Sequence, residues 1–437
     1  MGDTMFATFK KGGVHPADNK AYSSGSAIRR LPVPAELTVS MSQHLGAPAT
    51  LLKKAGDTVQ RGELIGEASG FISANVHSPV SGTIKEVRKT VLATGITADA
   101  VVIIPDEVQP EYPDIHNDWR SRSASDLLAV VKQSGIVGLG GATFPTNVKY
   151  MVPEGKKVDA LVINGVECEP YLTADYRLML EYPDQVLEGV MIIAKILSPE
   201  RIIIGIEENK MDVVRLLSDR IAKAGLPITV MPLKMKYPQG DEKQLLKATI
   251  NREIPSGKLP LDVGAVVSNV GTTWAVYKAV VLGQPLTERI VTVTGDCIAN
   301  PSNFIAPIGT KISYLIEAAG GYSQEPDKLI SGGPMMGFAF WDEDTPMVKS
   351  TGGILAIKDT LSYEKTPCLH CGKCVAACPI GLEPTKLYSL ITHGKYEDAM
   401  ANSLMDCKEC GCCSFSCPAH LDLVQAMKTG KRMGRKK

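Results

Sequence analysis

Cysteine is the residue type with the clearest chemistry in this sequence, because nine of the eleven cysteines lie within its last 70 residues. Eight of them repeat the spacing Cys-x2-Cys-x2-Cys-x3-Cys-Pro, first at Cys368, Cys371, Cys374 and Cys378 and then at Cys407, Cys410, Cys413 and Cys417. This spacing is typical of [4Fe–4S] ligands. Structural zinc is the alternative, but a zinc site needs only two CxxC pairs and gives no reason for the repeated Cys-Pro. We therefore predict two cubane clusters, with Cys412 as a spare thiol.

The repeat resembles that of bacterial two-cluster ferredoxins, in which the cysteine after x3 binds the other cluster. The resemblance implies two ligand sets: Cys368, Cys371, Cys374 and Cys417 for one cluster, and Cys407, Cys410, Cys413 and Cys378 for the other. Between the two motifs, Pro384 can open a helix that Gly394 closes, and a second helix is predicted over 396–404. The sequence thus predicts a helical ferredoxin-like module.

A glycine-rich loop over 135–146 is the next candidate for chemistry. Iron–sulfur clusters with all their thiolates carry only single electrons, so the rest of the chain should hold an organic redox cofactor. The loop follows a predicted helix over 125–134, and its glycines would let the backbone approach a ligand closely. It is not a dinucleotide fingerprint, because no strand precedes it and the spacing is not GxGxxG.

Strands and helices alternate after this loop, which indicates an open α/β sheet. The predicted strands cover 158–164, 201–206 and 228–233, and the predicted helices between them cover 185–197 and 211–224. Ligands of such sheets bind beyond the carboxyl ends of the strands. Asn164 and Glu169 follow the first strand at such an end.

Four segments of this region resemble motifs of the flavin-binding subunit of respiratory complex I, and almost the whole chain resembles the RnfC family of Rnf electron-transport complexes. Residues 138–149, 164–170, 237–242 and 268–272 are similar to GRGGAGFPTGLK, NADExEP, YxxGEE and NNVET. The resemblance implies that FMN contacts Gly138, Gly140, Gly141, Lys149, Asn164, Tyr237, Gly240, Asp241, Ser268, Asn269 and Thr272. It implies that NADH contacts Phe144, Glu169 and Glu242. Hydride transfer to the flavin needs positioning and stacking, and we expect no catalytic proton-transfer residue.

The physical properties of these residues agree with that implication. Backbone N–H groups bared by glycine can face a phosphate, and Lys149 can add positive charge. The motifs differ from those of complex I at five positions, where Leu139, Thr143, Val166, Asp241 and Ser268 replace Arg, Gly, Asp, Glu and Asn. Taken singly, the carboxylates could be surface groups and Tyr237 could be packing.

Two further domains flank these sites. Residues 35–104 contain short strands and tight turns that resemble a lipoyl or biotinyl carrier barrel, but 62–84 has no lysine to carry a prosthetic group. A swinging arm is therefore not expected. Strands over 289–294 and 303–308 and a helix over 312–319 resemble the small β-grasp domain of this family. Cys297 lies in it with no ligand spacing, and the turn 332–337 has no assigned role.

Composition and charge exclude some classes of function. Of the 437 residues, 44% are hydrophobic, and 47 basic side chains balance 47 acidic ones, so no overall positive field attracts nucleic acid. The sequence shows neither a signal peptide nor a transmembrane segment. Six of the last ten residues are basic. We expect a solvated tail, with anionic lipid or an acidic partner as the alternative.

Together these features predict a multidomain α/β and α+β protein. The expected domains are an N-terminal segment (1–34), a lipoyl-like barrel without a carrier lysine (35–110), a Rossmann-like FMN/NADH domain (111–285), a β-grasp domain (286–360), a two-cluster ferredoxin-like domain (361–425) and a basic tail (426–437).

The resemblance implies a peripheral subunit on the cytoplasmic side of the cell membrane. That subunit would pass electrons between NAD(H), FMN and two [4Fe–4S] clusters within an ion-translocating ferredoxin:NAD oxidoreductase complex. Its partners would be other membrane-complex subunits and, indirectly, ferredoxin. Two alternatives stay open: a cobalamin reductase of a propanediol microcompartment, and an electron-transfer scaffold without its own NADH site.

Overall fold

A computed structural model describes residues 6–358 and 363–435 of the chain. Parts of three predicted regions lie outside the described residues, namely 1–5 of the N-terminal segment, 359–362 at the junction of the predicted β-grasp and ferredoxin-like domains, and Lys436 and Lys437 of the predicted tail.

The described residues contain strands that belong to four sheets. In order they are β1 (Ile28–Arg30), β2 (Leu37–Ser40), β3 (Thr50–Leu51), β4 (Thr58–Val59), β5 (Leu64–Glu67), β6 (Val76–His77), β7 (Gly82–Val91), β8 (Thr97–Pro105), β9 (Ala160–Asn164), β10 (Arg201–Glu207), β11 (Ile228–Leu233), β12 (Ala265–Asn269), β13 (Glu288–Thr294), β14 (Ser302–Pro307), β15 (Lys328–Ser331), β16 (Phe338–Phe340) and β17 (Gly353–Ile357).

The α-helices lie between and after these strands. They are α1 (Ala124–Gln133), α2 (Thr146–Tyr150), α3 (Ala174–Glu181), α4 (Pro183–Leu197), α5 (Met211–Ala224), α6 (Glu242–Ile250), α7 (Val270–Leu282), α8 (Ile312–Ala318), α9 (Lys373–Ala377), α10 (Pro384–Thr392), α11 (Tyr396–Ala401), α12 (Cys412–Phe415) and α13 (Leu423–Gly434).

Two small antiparallel sheets form the barrel domain. Their strand orders are β2-β8-β7-β4 and β3-β5-β6. Apolar side chains such as Leu37, Ile65, Ile84 and Val101 point into one core between the two sheets, which accounts for the alternation of apolar and polar residues in the strands.

A four-stranded parallel sheet forms the centre of the second domain, here called the parallel-sheet domain. Its order is β11-β10-β9-β12, so the chain moves outward from β9 to β11 and then returns to the other side of β9. The strands are continuous apolar runs because helices cover the sheet, and α7 is buried along almost its whole length. The reversal between β9 and β12 opens a crevice at their carboxyl ends, where ligands of such folds bind.

A six-stranded sheet forms the third domain, here called the mixed-sheet domain, in the order β1-β14-β13-β17-β15-β16. Its edge strand β1 comes from the N-terminal segment and pairs in parallel with β14, with Ile28 opposite Asn303. The sequence did not predict this pairing. One hydrophobic cluster, which includes Leu161 and Val291, runs through both the parallel-sheet and the mixed-sheet domain, so the two share a core.

Helices α10, α11 and α13 form the cysteine-rich domain around a core that includes Leu387, Ile391 and Met427. Over its described residues the predicted basic tail from residue 426 is helical, because α13 continues to Gly434. Gly430 faces the core so closely that a Cβ there would lie 2.6 Å from Ile391 Cδ1. Lys431 Nζ donates to the carbonyl of Cys407 at 2.6 Å. Lys431 is thus mostly covered, with 15% of its side chain exposed, whereas the neighbouring Arg432 is exposed.

Candidate redox centres

Four cysteines line a cavity at the surface of the cysteine-rich domain, here called the outer cavity. They are Cys368, Cys371, Cys374 and Cys417. A second cavity, here called the inner cavity, is lined by Cys378, Cys407, Cys410 and Cys413. The structure therefore brings together the two sets that the ferredoxin resemblance implied, each with three cysteines from one motif and one from the other.

The thiols surround a volume and do not converge on one point. No group of three or more His, Cys, Asp or Glu side chains among residues 6–358 and 363–435 is placed to hold a single metal ion. A tetrahedral zinc site needs four ligands within about 2.3 Å of one ion. The four predicted thiols at each cavity match the four thiolate ligands of a [4Fe–4S] cluster.

The two cavities are built by the same local backbone. His370 and Glu409 have positive φ of 50° and 56°, which turns their amides toward the sulfur two residues earlier. The His370 N–H lies 3.5 Å from Cys368 Sγ, and the Glu409 N–H lies 3.4 Å from Cys407 Sγ. Hydrogen bonds to sulfur are one of the ways in which a protein tunes a cluster's reduction potential.

The cavities differ in their surroundings. Cys371 is exposed at the outer cavity, whereas Cys378 and Cys413 of the inner cavity are buried. Tyr237 of the parallel-sheet domain packs with Cys412 and Cys410 at the inner cavity. Cys412 lines this cavity, as a fifth cysteine beside the predicted set. The inner cavity is therefore the one that adjoins the parallel-sheet domain.

Polar contacts reinforce that junction. The Gln244 side-chain amide lies 3.4 Å from the carbonyl of Pro379, and Ser256 Oγ donates to Asp406 at 2.6 Å. Both contacts join α6 or the loop after it to the cysteine-rich domain. The relative position of the two domains is thus set by specific bonds around the inner cavity.

The glycine loop lies beside the carboxyl ends of β9 and β12. Its ends close on each other, with the Gly138 N–H donating to the Phe144 carbonyl at 2.9 Å. The Leu139 N–H donates to Thr272 Oγ1 at 2.8 Å, which joins two of the predicted motifs. Gly141 is exposed, and a Cβ built there meets no described atom within 4 Å. The loop therefore offers open backbone of the kind a flavin phosphate requires.

Asn164 ends β9 and Asn269 ends the adjacent edge strand β12, and the two asparagines are paired neighbours. The Asn164 side-chain amide donates to the Gly240 carbonyl at 2.8 Å. Asn269 caps α7 by accepting from the N–H groups of Gly271 and Thr272, and its amide donates to Asp175. A Cβ on Gly140 would lie 2.9 Å from the Asn269 side chain, so only glycine fits there. These contacts fix the floor of the crevice.

Other predicted residues meet across the motifs. Lys149 and Glu242 form an ion pair of 2.7 Å at the edge of the crevice. Asp241 caps α6, and burial raises its pKa. The Ser268 hydroxyl lies 2.7 Å from the Tyr150 hydroxyl, so the serine that replaces asparagine has a partner in α2. Thr143 has φ of 52°, a left-handed conformation that a β-branched residue rarely adopts and that glycine would adopt freely.

Glu169, a predicted NADH contact, also has a protein neighbour that the sequence did not indicate. Its carboxylate accepts from the Met335 N–H at 3.0 Å, in the turn 332–337 of the mixed-sheet domain. A Cβ on Gly333 would lie 2.2 Å from Glu169 Oε2, which explains the glycine in that turn. Burial raises the pKa of Glu169 to about 7. Glu169 thus faces this turn and Tyr237.

Two buried lysines hold the segment between Asn164 and Leu172, and no sequence motif pointed to them. Lys210 Nζ donates to the Val166 carbonyl at 2.8 Å, and Lys20 Nζ donates to the Glu169 carbonyl at 3.0 Å. Lys20 also lies 3.9 Å from the buried carboxylate of Glu167, whose pKa burial raises to about 7. Because both lysines act from distant parts of the chain, only the folded structure reveals them.

The crevice, the glycine loop and the two cavities together define a flavodehydrogenase-type iron–sulfur protein. Family models agree: the Nuo51 FMN-binding domain matches residues 131–278, the RnfC barrel sandwich hybrid domain matches 7–108, and the SLBB domain matches 290–339.

Two curated relatives span nearly the same length, and each is the RnfC-type subunit of its complex. The chain is 43% identical over 426 residues to that subunit of the Na(+)-translocating ferredoxin:NAD(+) oxidoreductase complex of Acetobacterium woodii, covering 97% of this chain and 96% of that protein. It is 42% identical over 400 residues to the counterpart in the proton-translocating complex of Clostridium ljungdahlii, covering 90% and 87%. The chain belongs to the RnfC family of ion-translocating ferredoxin:NAD(+) oxidoreductase complexes.

A solved structure shares the fold. A chain of an NAD+-reducing [NiFe]-hydrogenase in the H2-reduced state superposes with a TM-score of 0.51 at 18% identity, covering 71% of this chain and 62% of that one. The likeness supports the multidomain architecture.

Proposed function

We propose that this chain is the NAD(H)-linked subunit of an ion-translocating ferredoxin:NAD oxidoreductase complex. It would pass electrons between NAD(H), FMN and two [4Fe–4S] clusters. The observation that carries the proposal is the inner cavity, which lies against the parallel-sheet domain and has the four thiols of one cluster around it. When bound, FMN exchanges electron pairs with NAD(H) and single electrons with clusters.

We assign the domains accordingly, as a lipoyl-like barrel without a carrier lysine, a Rossmann-like FMN/NADH domain, a β-grasp domain and a ferredoxin-like domain. The proposed cluster ligands are Cys368, Cys371, Cys374 and Cys417 at the outer cavity and Cys378, Cys407, Cys410 and Cys413 at the inner cavity. Each set fits a [4Fe–4S] cluster because its thiols line one cavity. One sulfur of each set, Cys368 or Cys407, also accepts a hydrogen bond from a backbone N–H.

The proposed FMN contacts are the glycine loop, Lys149 and the ends of β9 and β12, with Phe144 and Glu242 toward NADH. Gly141 leaves open space, Lys149 supplies positive charge and Glu242 holds that lysine in place. Tyr237, Gly240 and Asp241 are further proposed FMN contacts, and Tyr237 shares a buried cluster with Cys412 of the inner cavity, against which Cys410 packs. Glu169 is the third proposed NADH contact, and its carboxylate also holds the turn 332–337 through the Met335 N–H.

The chain would associate with the cytoplasmic face of the membrane through the other subunits of its complex. Over the described part of the chain, no helix is long and apolar enough to cross a bilayer. The two relatives are named as one subunit of such complexes, which supports partners of this kind.

The test is anaerobic reconstitution with iron, sulfide and FMN, followed by NADH. We expect NADH to bleach the flavin absorbance and then the cluster absorbance, with an EPR signal from reduced clusters. Clusters that dithionite reduces but NADH does not would contradict an NADH site. That result would favour an electron-transfer scaffold whose donor is another protein, and the covered position of Glu169 is the feature that would explain it.

A further inference from the structure

The N-terminal residues 9–14 lie between the parallel-sheet domain and the inner cavity, and no role in binding explains them. We propose that these residues form a strap that fixes the inner cavity against the parallel-sheet domain, with Gly12 and Gly13 as positioning residues. The inference rests on the proposed function, because it concerns the site where the inner cluster would bind.

One side of the strap is bonded to the parallel-sheet domain. The Val14 N–H donates to the Tyr237 carbonyl at 2.8 Å, and the Tyr237 N–H donates to the Val14 carbonyl at 2.9 Å. Lys236 Nζ donates to the Phe9 carbonyl at 3.1 Å and lies 4.2 Å above the ring of Phe9, which is buried. Val14 and Tyr237 thus form an isolated antiparallel bridge, and Lys236 ties Phe9 to the same segment of the parallel-sheet domain.

The other side of the strap contacts the wall of the inner cavity. The Gly13 N–H donates to the carbonyl of Ala377, the residue before Cys378, at 2.9 Å. The Lys11 side chain lies across Gly381, where an added Cβ would be 1.8 Å from Lys11 Nζ. One short segment therefore bonds both to Tyr237 and to the backbone that carries Cys378.

Both glycines are required by backbone angle and by space. Gly12 and Gly13 have φ of +62° and +87°, which disfavour other residues. A Cβ on Gly12 would lie 2.5 Å from the carbonyl carbon of Cys378, and a Cβ on Gly13 would lie 2.9 Å from the Tyr237 carbonyl oxygen. These neighbours are backbone atoms, which cannot move aside as the end of a flexible side chain can. Alanine at either position would separate the strap from the cavity wall or from Tyr237.

The proposal can be tested with matched glycine variants of the full-length reconstituted protein. Gly12→Ala is compared with Gly225→Ala, because Gly225 also has φ of +62° but meets no described atom within 4 Å of a built Cβ. Gly13→Ala is compared with Gly56→Ala, whose φ is +88° and whose space is likewise open. The controls carry the same backbone strain without the contact.

Two readouts separate positioning from general damage. In the strap variants we expect hydrogen exchange at Val14 and Tyr237 to be roughly tenfold faster than in the controls, because local opening exposes these amides. We expect cluster reduction by NADH to slow by a similar factor while FMN content, iron content and flavin reduction stay unchanged, since electron transfer slows steeply with separation. Strap variants that match their controls in both readouts would overturn the proposal.

A milder variant covers the case in which the alanine variants do not fold. Lys11→Ala removes the contact with Gly381 without backbone strain, and the neighbouring exposed Lys10→Ala is its control. We expect roughly two- to threefold faster exchange in 379–382 for Lys11→Ala alone, and equal exchange in the two variants would overturn the proposal. A wild-type protein that binds no clusters would instead contradict the proposed function, while the exchange comparison would still decide the strap.

Discussion

The two thiol-lined cavities have the same ligand spacing and the same backbone turns, yet they lie in different environments. At the outer cavity Cys371 is exposed, and the neighbouring side chains of Leu369 and Phe415 are 62% and 55% exposed. At the inner cavity the exposed fractions of Cys378 and Cys413 are 8% and 9%, and the lining residue Cys412 is buried in one cluster with Tyr237. Motif spacing is therefore shared by both cavities, while distant parts of the chain determine how far each one is separated from solvent.

The cysteines that cross between the motifs should give the strongest effect. Cys378→Ser should remove the EPR signal of the inner cluster and match Cys407→Ser, because Cys378 lines the inner cavity. Cys417→Ser should match Cys368→Ser for the same reason at the outer cavity. Each variant should keep about half of the bound iron, as one of two clusters is lost. If Cys378→Ser matched Cys368→Ser, the ligand sets would follow the motifs and not the cavities.

Two tyrosines allow the inner junction and the outer surface to be compared by substitution. Tyr237 is 2% exposed beside the inner cavity, and Tyr363 is 54% exposed where its ring stacks on His420 near the outer one. Tyr237→Ala should lower the free energy of unfolding by about 3–5 kcal/mol, because it leaves a buried cavity. Tyr363→Ala should lower it by about 1 kcal/mol or less. Chemical denaturation measures both, and equal losses would show that Tyr237 does not hold a junction.

Glu169 adds a pH dependence to the inner junction. Burial raises its pKa from 4.5 to about 7, so the folded state disfavours the charged carboxylate. Its contribution to stability is fully present below pH 4.5 and is lost as the pH rises through about 7. From pH 5 to pH 8, Glu169→Gln should therefore gain on the order of 2 kcal/mol relative to wild type. Denaturation at the two pH values tests this, with the exposed Glu364→Gln as control, and a constant difference between Glu169→Gln and wild type would contradict it.

The weakest effect is expected at the outer surface. Leu369 is 62% exposed, so Leu369→Ser should change the free energy of unfolding by at most about 0.5 kcal/mol and leave NADH-driven cluster reduction unchanged. Leu387, which lines the inner cavity and is 1% exposed, is the matched position. Leu387→Ala should cost about 2–5 kcal/mol. A comparable loss at Leu369 would mean that the outer cavity also depends on a packed core.

The elements whose bounds depend on neighbouring residues were predicted well from the sequence. The bounds of α5 and β11 are the predicted ones, since amphipathic periodicity and an apolar run determine them locally. The eight cysteines gather around two cavities in the sets that the ferredoxin resemblance implied. The strand β1, by contrast, shows no pattern of its own, because its partner β14 lies far along the chain.

The contacts that the sequence did not indicate share one cause, which is that they join distant parts of the chain. The neighbour of Glu169 is Met335, in a turn whose glycines could not be interpreted without their contacts. The C-terminal residues were predicted to be a basic tail because many of them are Lys or Arg. The sequence did not show that Gly430 packs against Ile391. Buried Lys20 and Lys210 carried no motif at all. In each case the deciding interaction joins residues that no local window contains.

The pairing of β1 with β14 also has a consequence for biosynthesis. The Asn303 side chain donates to the Ser23 carbonyl, 280 residues away in sequence. At translation rates of roughly 5–20 residues per second, the first thirty or so residues leave the ribosome roughly 15–60 s before their partners exist. The barrel domain can fold during that interval, but β1 and the strap cannot find their places. The segment that ties the domains together is therefore made well before its partners, and it must be kept from pairing with other strands until the mixed sheet is complete.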